Sequence, residues 1–202
     1  EGRKEEEEEE AVVGFSATST PFRTPTHSSL PLLNKLNMAS GVAIDAAVAK
    51  TYEEIKVRLQ GADERERFKL VIMRLSDDQK SIIVDLENSL KVKDVENEAN
   101  VFEKIINKLP NDDCRYALYD CKYENLNSLK EDLVFIFSAP EEAPLRNKMV
   151  YSSSKTALKL KLPGLKFEWQ INDQSDKDAL NLVAKLGGPK TIKTLEGKPL
   201  KP

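Results

Sequence analysis

Residues 130 to 162, KEDLVFIFSAPEEAPLRNKMVYSSSKTALKLKL, decide the fold of this chain. Leu133 to Phe137 is an almost unbroken apolar run of β-forming residues, which is typical of a strand buried on both faces. Pro140 and Pro144 then exclude regular pairing or helix across the junction that follows. The stretch therefore predicts a buried strand that leads through a rigid turn into the segment after Pro144.

That segment has the pattern of a helix, which Pro163 and Gly164 end. One row of the helix holds Leu145, Met149, Ser153, Ala157 and Lys161, and the next holds Val150, Ser154, Leu158 and Leu162. Basic residues occupy much of the remaining surface: Arg146, Lys148, Lys155, Lys159 and Lys161. Cations in a first turn oppose the helix macrodipole, at a cost of roughly 0.3–1 kcal/mol each. We interpret Arg146 and Lys148 as residues placed there for a partner, although a solvated surface helix with scattered lysines gives the same pattern.

The rest of residues 38 to 200 alternates between strand and helix patterns. We predict a first helix that begins after the N-cap Asp45 and carries the apolar stripe Val48, Tyr52, Ile55 and Leu59. We predict a second helix over Ala99 to Leu109. A third is predicted over Asp178 to Leu186, with Gly187-Gly188 as its C-cap. We predict further strands over Phe68 to Leu75, Ser81 to Glu87, Cys114 to Tyr119 and Lys166 to Ile171, and a loop over Leu126 to Lys130. Because adjacent strands also pair as hairpins, these elements predict an α+β fold with a mixed sheet between helices.

Four segments match one known family in the right order: MASGVAID (38 to 45), DCRYALYD (113 to 120), KEDLVFIF (130 to 137) and, from Ala143 to Lys155, AP-x-RNKMVYSSSK. They resemble the ADF/cofilin family of actin-binding proteins, closest to animal cofilin, over essentially all of residues 38 to 200. The resemblance implies one actin-depolymerising-factor homology domain over residues 38 to 202, with a central mixed β-sheet sandwiched by α-helices.

The resemblance also implies two contact surfaces for actin. The first comprises Ser40, Gly41, Arg146, Lys148, Met149 and Lys155. The second, needed only for filaments, includes the loop before the central strand and the last helix, with Lys130 and, as a weaker candidate, Lys185. A regulatory kinase would phosphorylate Ser40, and a phosphatase would reverse this. The phosphate adds about −1.5 to −2 charges at neutral pH beside an acidic partner surface. Ser138 stands where many relatives have Trp.

The activity that the resemblance implies is non-catalytic. A protein that binds a twisted filament state more tightly than the straight one shifts the filament toward the twisted state. Boundaries between decorated and bare segments then fail, so that filaments sever and lose subunits. ADP-actin is the preferred form, and phosphoinositide lipids would compete for the basic helix face. The alternative is a protein that binds filaments without severing them, similar to coactosin or to a branch regulator.

Composition and residue inventory restrict the other function classes. The formal net charge of −3 argues against a bulk polyanion binder such as a nucleic-acid-binding protein. No apolar run approaches the roughly 18 residues of a membrane span, and no signal peptide opens the chain, so we expect a cytoplasmic protein of the actin cytoskeleton. The only histidine, His27, lies outside the predicted domain, which excludes nucleophile–histidine pairs and histidine-driven pH sensing there. Cys114 and Cys121 lack further Cys or His partners, so we expect buried thiols, no metal site, no cofactor and no enzyme.

Residues 1 to 37 predict no folded structure. Glu5 to Glu10 is a run of like charges, and Ser16 to Pro31 is rich in Ser, Thr and Pro. Met38 then begins MASG, where the family's own N-terminus would begin. The extension is either a non-native or translated leader sequence or a genuine regulatory tail, and the sequence leaves both open.

Overall fold

The computed structural model describes residues 41–58 and 61–200 of the chain. Its described strands are β1 (Ala43–Ile44), β2 (Phe68–Leu75), β3 (Ser81–Lys91), β4 (Arg115–Asn125), β5 (Leu129–Ser138), β6 (Phe167–Ile171), β7 (Ile192–Leu195) and β8 (Lys198–Pro199). Its described helices are α1 (Ala46–Lys56), α2 (Val101–Ile106), α3 (Leu145–Leu160) and α4 (Ala179–Leu186). The predictions for residues 1 to 37, for Met38, for Ser40 and its phosphorylation, and for Leu59 lie outside the described residues.

The strands form a mixed sheet in the order β1-β3-β2-β4-β5-β6. Strand β1 runs parallel to β3, β6 runs parallel to β5, and the other neighbours are antiparallel. Two strands pair with the same edge of β4: β2 pairs with its first half, and β7 pairs with Tyr123 to Asn125 further along. Strand β8 pairs only with β7.

Side chains alternate between two buried clusters, one on each face of the sheet. In β4, Tyr116 and Leu118 belong to the cluster that α1 and α3 cover, whereas Ala117 and Tyr119 belong to the cluster that α2 and α4 cover. The side chains of β5 alternate between the same two clusters, which confirms the prediction of a strand buried on both faces. Helices therefore cover both faces, and the predicted α+β sandwich is confirmed.

Most helix ends follow local chemistry that the sequence had indicated. The side chain of Asp45 accepts a hydrogen bond from Ala47 N at 2.8 Å, and that of Asp178 accepts one from Leu180 N at 2.7 Å. Gly187 ends α4 at a φ of 136°, a conformation that favours glycine. Helix α2 begins at Val101 rather than Ala99, because Asn100 caps it, and it ends at Ile106 rather than at the predicted Leu109.

The remaining differences concern strands. Strand β4 extends well beyond Tyr119, so that Cys121 lies inside it, and both cysteines are buried and unbridged, as predicted. Lys130 was predicted in a loop, but it lies in β5 and pairs with Tyr123, because the β4–β5 ladder continues to the hairpin. Strand β1 and the β7–β8 hairpin were not predicted, since β1 has only 2 residues and β7 is defined by its pairing with β4.

Candidate functional site

The first turns of α3 expose an apolar pair. The side chains of Leu145 and Met149, one turn apart, are 71% and 64% exposed. The neighbouring stripe of the helix, which includes Tyr151 and Leu158, is buried against the sheet. Large apolar side chains held outward beside a well-packed stripe are typical of a protein-contact surface. Leu145 had not been singled out as a contact residue, although its spacing from Met149 was the signal for it.

Two hydrogen bonds hold this turn in place. Asn147 Nδ2 donates to Asp113 Oδ1 at 2.9 Å, and Lys148 Nζ donates to the carbonyl oxygen of Glu141 at 2.8 Å. Burial opposes ionisation of Asp113, but hydrogen bonds from Arg115 and Asn147 outweigh it and hold the pKa of Asp113 below its ordinary value. The turn is thus fixed to the loop before β4 by an ionised carboxylate.

Deeper in the same helix, Tyr151 joins α3 to two strands. Its hydroxyl accepts a hydrogen bond from Leu75 N at 2.9 Å, and its carbonyl oxygen accepts one from the hydroxyl of Tyr116. Burial raises the pKa of Tyr151 to about 12, so the phenol remains a neutral hydrogen-bonding group at physiological pH. These contacts fix the orientation of the exposed pair relative to the sheet.

The N-terminus of α3 is electropositive. Pro144 is its N-cap and offers no side-chain hydrogen bond, and no acidic residue occupies the first turn. Arg146 is exposed, and its side chain forms no hydrogen bond or ion pair with any residue that the structure describes. Lys148 donates only to an uncharged carbonyl among the described residues, so its charge is not neutralised by that contact. Both cations therefore add to the positive end of the helix macrodipole, which suits an acidic partner surface.

Lys155, further along α3, is already paired within the protein. Its Nζ lies 2.9 Å from Glu168 Oε1 and 5.4 Å from the centre of the Phe137 ring, and its side chain is only 26% exposed. Lys159 Nζ contacts the other oxygen of the same carboxylate. This pairing could not be predicted from sequence, because Glu168 lies on β6 and meets α3 only in the folded sheet.

Two of the other predicted contact residues, Lys130 and Lys185, lie on elements other than α3. Gly41 is exposed at a φ of +69° just before β1, and Lys185 is exposed on α4, which covers the opposite face of the sheet from α3. Lys130 is exposed near the start of β5, beside Leu126 and Leu129, whose side chains are 57% and 60% exposed. The fold thus brings Arg146, Lys148 and Met149 together on neighbouring turns of α3 and places Lys130 and Lys185 on β5 and α4.

Two observations concern metal binding and thiol reactivity in the described part of the chain. Across residues 41–58 and 61–200, no group of three or more His, Cys, Asp or Glu side chains could hold a metal ion. Burial raises the pKa of Cys114 to about 11, which leaves a protonated and unreactive thiol. No helix in the described part of the chain combines the length and hydropathy needed to cross a membrane.

Comparisons with known proteins agree with the helix–sheet sandwich. The family model of cofilin/tropomyosin-type actin-binding proteins matches residues 41–187. Among solved structures, cofilin from Streptomyces griseoflavus is similar at 29% identity and a TM-score of 0.59, covering 73% of this chain and 98% of its own. The ADF-like UNC-60A protein of Caenorhabditis elegans is similar at 25% identity and a TM-score of 0.56, covering 74% and 96%. Coactosin from Entamoeba histolytica, at 20% identity, a TM-score of 0.56 and coverage of 73% and 95%, shares the fold.

Proposed function

The chain belongs to the cofilin/tropomyosin-type family of actin-binding proteins, and from that premise we propose that it binds both actin monomers and filaments, severs and depolymerises the filaments, and so drives actin turnover. The observation that carries the proposal is the exposed pair Leu145 and Met149 beside the unpaired Arg146 at the start of α3. The proposed mechanism is non-catalytic.

The chemistry of this turn suits a cleft with apolar walls and an acidic rim. Burying a Leu or Met side chain that is otherwise exposed contributes about 1.5–3 kcal/mol, so Leu145 and Met149 can supply much of the binding free energy. Methionine adapts its shape to an irregular partner surface. Arg146 and Lys148 then add charge complementarity, which favours specificity and fast association.

A second surface at the other end of β5 supports filament binding. Strand β5 has 10 residues, which at a rise of about 3.3 Å each separates the β4–β5 hairpin from the turn before α3 by about 30 Å. The hairpin presents Lys130 with Leu126 and Leu129, and Lys185 on α4 is a further basic candidate. Two surfaces so far apart suit contact with two neighbouring actin subunits. Tighter binding to a twisted filament than to a straight one would shift the filament toward the twisted state.

We further propose that Ser40, next to Gly41, is the site of a regulatory kinase and phosphatase, since a phosphate there would add negative charge beside an acidic partner. Phosphoinositide lipids would compete for the basic side chains of α3, and ADP-actin would be the preferred form. Residues 38 to 202 would act in the cytoplasm, within the actin cytoskeleton. The only histidine is His27, so we expect no histidine-driven pH response from the domain.

Filament co-sedimentation combined with time-lapse imaging of filaments tests the proposal. The full chain is compared with the double variant Arg146→Ala/Lys148→Ala and with Ser40→Glu. The matched control is Lys50→Ala/Lys108→Ala, which removes the same charge from α1 and from the segment after α2. We expect the full chain and the control to bind and fragment filaments, and the two site variants to lose most binding.

The outcomes separate the candidate functions. Fragmentation that needs Arg146 and Lys148 supports the severing mechanism. Binding that leaves filaments intact replaces it with a filament-binding role similar to that of coactosin or a branch regulator. A full chain that binds neither monomers nor filaments overturns the proposal.

A further inference from the structure

Two lysines of α3 share a single carboxylate. Lys155 and Lys159 lie one helical turn apart, and their Nζ atoms contact different oxygens of Glu168, with 2.9 Å between Lys155 Nζ and Glu168 Oε1. Burial opposes ionisation of Glu168, but hydrogen bonds from Lys159 and Lys155 outweigh it and hold the pKa of Glu168 below its ordinary value. The carboxylate is therefore charged at neutral pH and neutralises one of the two cations.

The position of Glu168 in the sheet explains this contact. Glu168 pairs in register with Phe135, whose side chain lies in the cluster under α1 and α3, so the carboxylate projects toward α3. Strand β6 is the last strand of the sheet path, which places the cluster at its rim. The three side chains remain partly exposed, with 26% for Lys155, 40% for Lys159 and 31% for Glu168. An acidic group from outside can therefore reach the lysines, in competition with Glu168.

We propose that Glu168 is an internal competitor for actin, which sets the affinity of the C-terminal half of α3 for acidic side chains of the partner. The inference rests on the proposed function, because actin is the partner that the lysines would meet. Glu168 occupies both ammonium groups in the free protein, and actin carboxylates displace it on binding. Arg146, by contrast, has no such competitor among the described residues, so the two halves of α3 differ in how much of their charge is available.

Replacing the competitor tests the proposal directly. Glu168→Gln removes the charge and keeps the shape, and Glu103→Gln is the matched control, since Glu103 is exposed on α2 at the opposite face of the sheet. We expect Glu168→Gln to bind monomeric actin about three- to tenfold more tightly than the wild type at low salt, and Glu103→Gln to change affinity less than twofold. The difference should shrink as salt is added, because these groups are partly exposed.

A third variant connects the gain to the paired lysines. Adding Lys155→Gln and Lys159→Gln to Glu168→Gln should remove most of the gain, because the two freed ammonium groups are its source. A Glu168→Gln protein that binds no more tightly than Glu103→Gln, while the wild type binds actin, overturns this inference and leaves the proposed function intact. A wild type that does not bind actin overturns both.

A measurement on the unaltered chain guards against a variant that fails to fold. A zero-length carbodiimide joins a carboxylate to an amine in direct contact, with loss of water. We expect it to link Glu168 to Lys155 or Lys159 in the free protein, as read by mass spectrometry of the peptides. With saturating actin this internal product should fall, and products joining the same lysines to actin carboxylates should appear. An internal product that persists in the complex overturns the proposal.

Discussion

Asn147 Nδ2 lies 2.9 Å from Asp113 Oδ1, and this hydrogen bond joins the first turn of α3 to the loop before β4. Asp113 also accepts a hydrogen bond from Cys114 N at 2.8 Å and forms an ion pair with Arg115. Because α3 begins at a proline without a side-chain cap and carries two cations in its first turn, Asp113 supplies negative charge that the turn itself lacks. The orientation of Arg146 and Met149 depends on this link.

Replacing Asn147 should therefore affect both stability and binding. We expect Asn147→Ala to lower the free energy of unfolding by about 1.5–3 kcal/mol, as for a hydrogen bond to a charged group, and to weaken actin binding. Urea unfolding and monomer-binding titrations measure the two effects. Asn127→Ala, in the exposed turn between β4 and β5, is the control and should leave stability within about 0.5 kcal/mol of the wild type. Equal stability and affinity for Asn147→Ala and wild type would contradict the proposed role.

Asp113 should make stability depend on pH in the acid range. Its pKa is lower in the fold than in the unfolded chain, so its contribution to stability is present above the ordinary pKa of about 4 and is lost as the pH falls through the folded pKa. Asp113→Asn should reduce the loss of stability on acidification below pH ~4. The control is Asp112→Asn, at the exposed neighbouring position. The free energy of unfolding is measured across that pH range. Equal slopes of this free energy against pH for Asp113→Asn and the wild type would contradict the prediction.

Local sequence predicted the elements whose ends carry their own signals. Pro144 and Pro163 bracket α3, and strand β2 spans Phe68 to Leu75 as expected, because turn-forming residues follow it. The predicted contact residues of the first turns of α3 are adjacent in sequence, so a helical pattern was enough to group them. Prediction failed where a partner is remote: β7 needs the far half of β4, and Lys155 meets Glu168 only after β6 pairs with β5.

Ser138 is fully buried at the end of β5, and its hydroxyl has no hydrogen-bond partner among the described residues. We expect Ser138→Ala to leave the free energy of unfolding unchanged or raise it by up to about 1 kcal/mol, because an unsatisfied buried hydroxyl is removed. Ser89→Ala is the matched opposite case. The hydroxyl of Ser89 accepts from Ile72 N at 2.9 Å and donates to the carbonyl of Asp85 at 2.6 Å, so its removal should cost about 1–3 kcal/mol. Similar losses for both variants would show that Ser138 has a polar role.

Glu196, in the turn between β7 and β8, connects this hairpin to strands β2 and β4. Its Oε1 lies 2.9 Å from Lys69 Nζ, with side chains only 6% and 8% exposed, and accepts from the hydroxyl of Tyr119 at 2.5 Å and from Lys122 N at 2.9 Å. Glu196→Gln keeps the shape and removes the carboxylate that lies nearest to the buried ammonium of Lys69, with Asp120 as the remaining acidic neighbour, so we expect a loss of about 3 kcal/mol.

Adding Lys69→Met to Glu196→Gln should restore most of that stability, because the buried charge is then gone. Thermal unfolding of the wild type, both single variants and the double variant measures the coupling. Additive losses in the double variant would mean that the ion pair is not the cause.

Strand β5 separates the two proposed contact regions by a fixed length. Its full ladder with β4 and the pairing of Val134 to Ser138 with β6 hold it, and a hydrogen-bonded strand can neither stretch nor shorten. Under the proposed function, a partner would occupy both ends of β5 only when its own two acceptor sites are spaced to match. A lone subunit or a filament of different pitch would contact one end alone, so a rigid strand would convert subunit spacing into a difference in affinity.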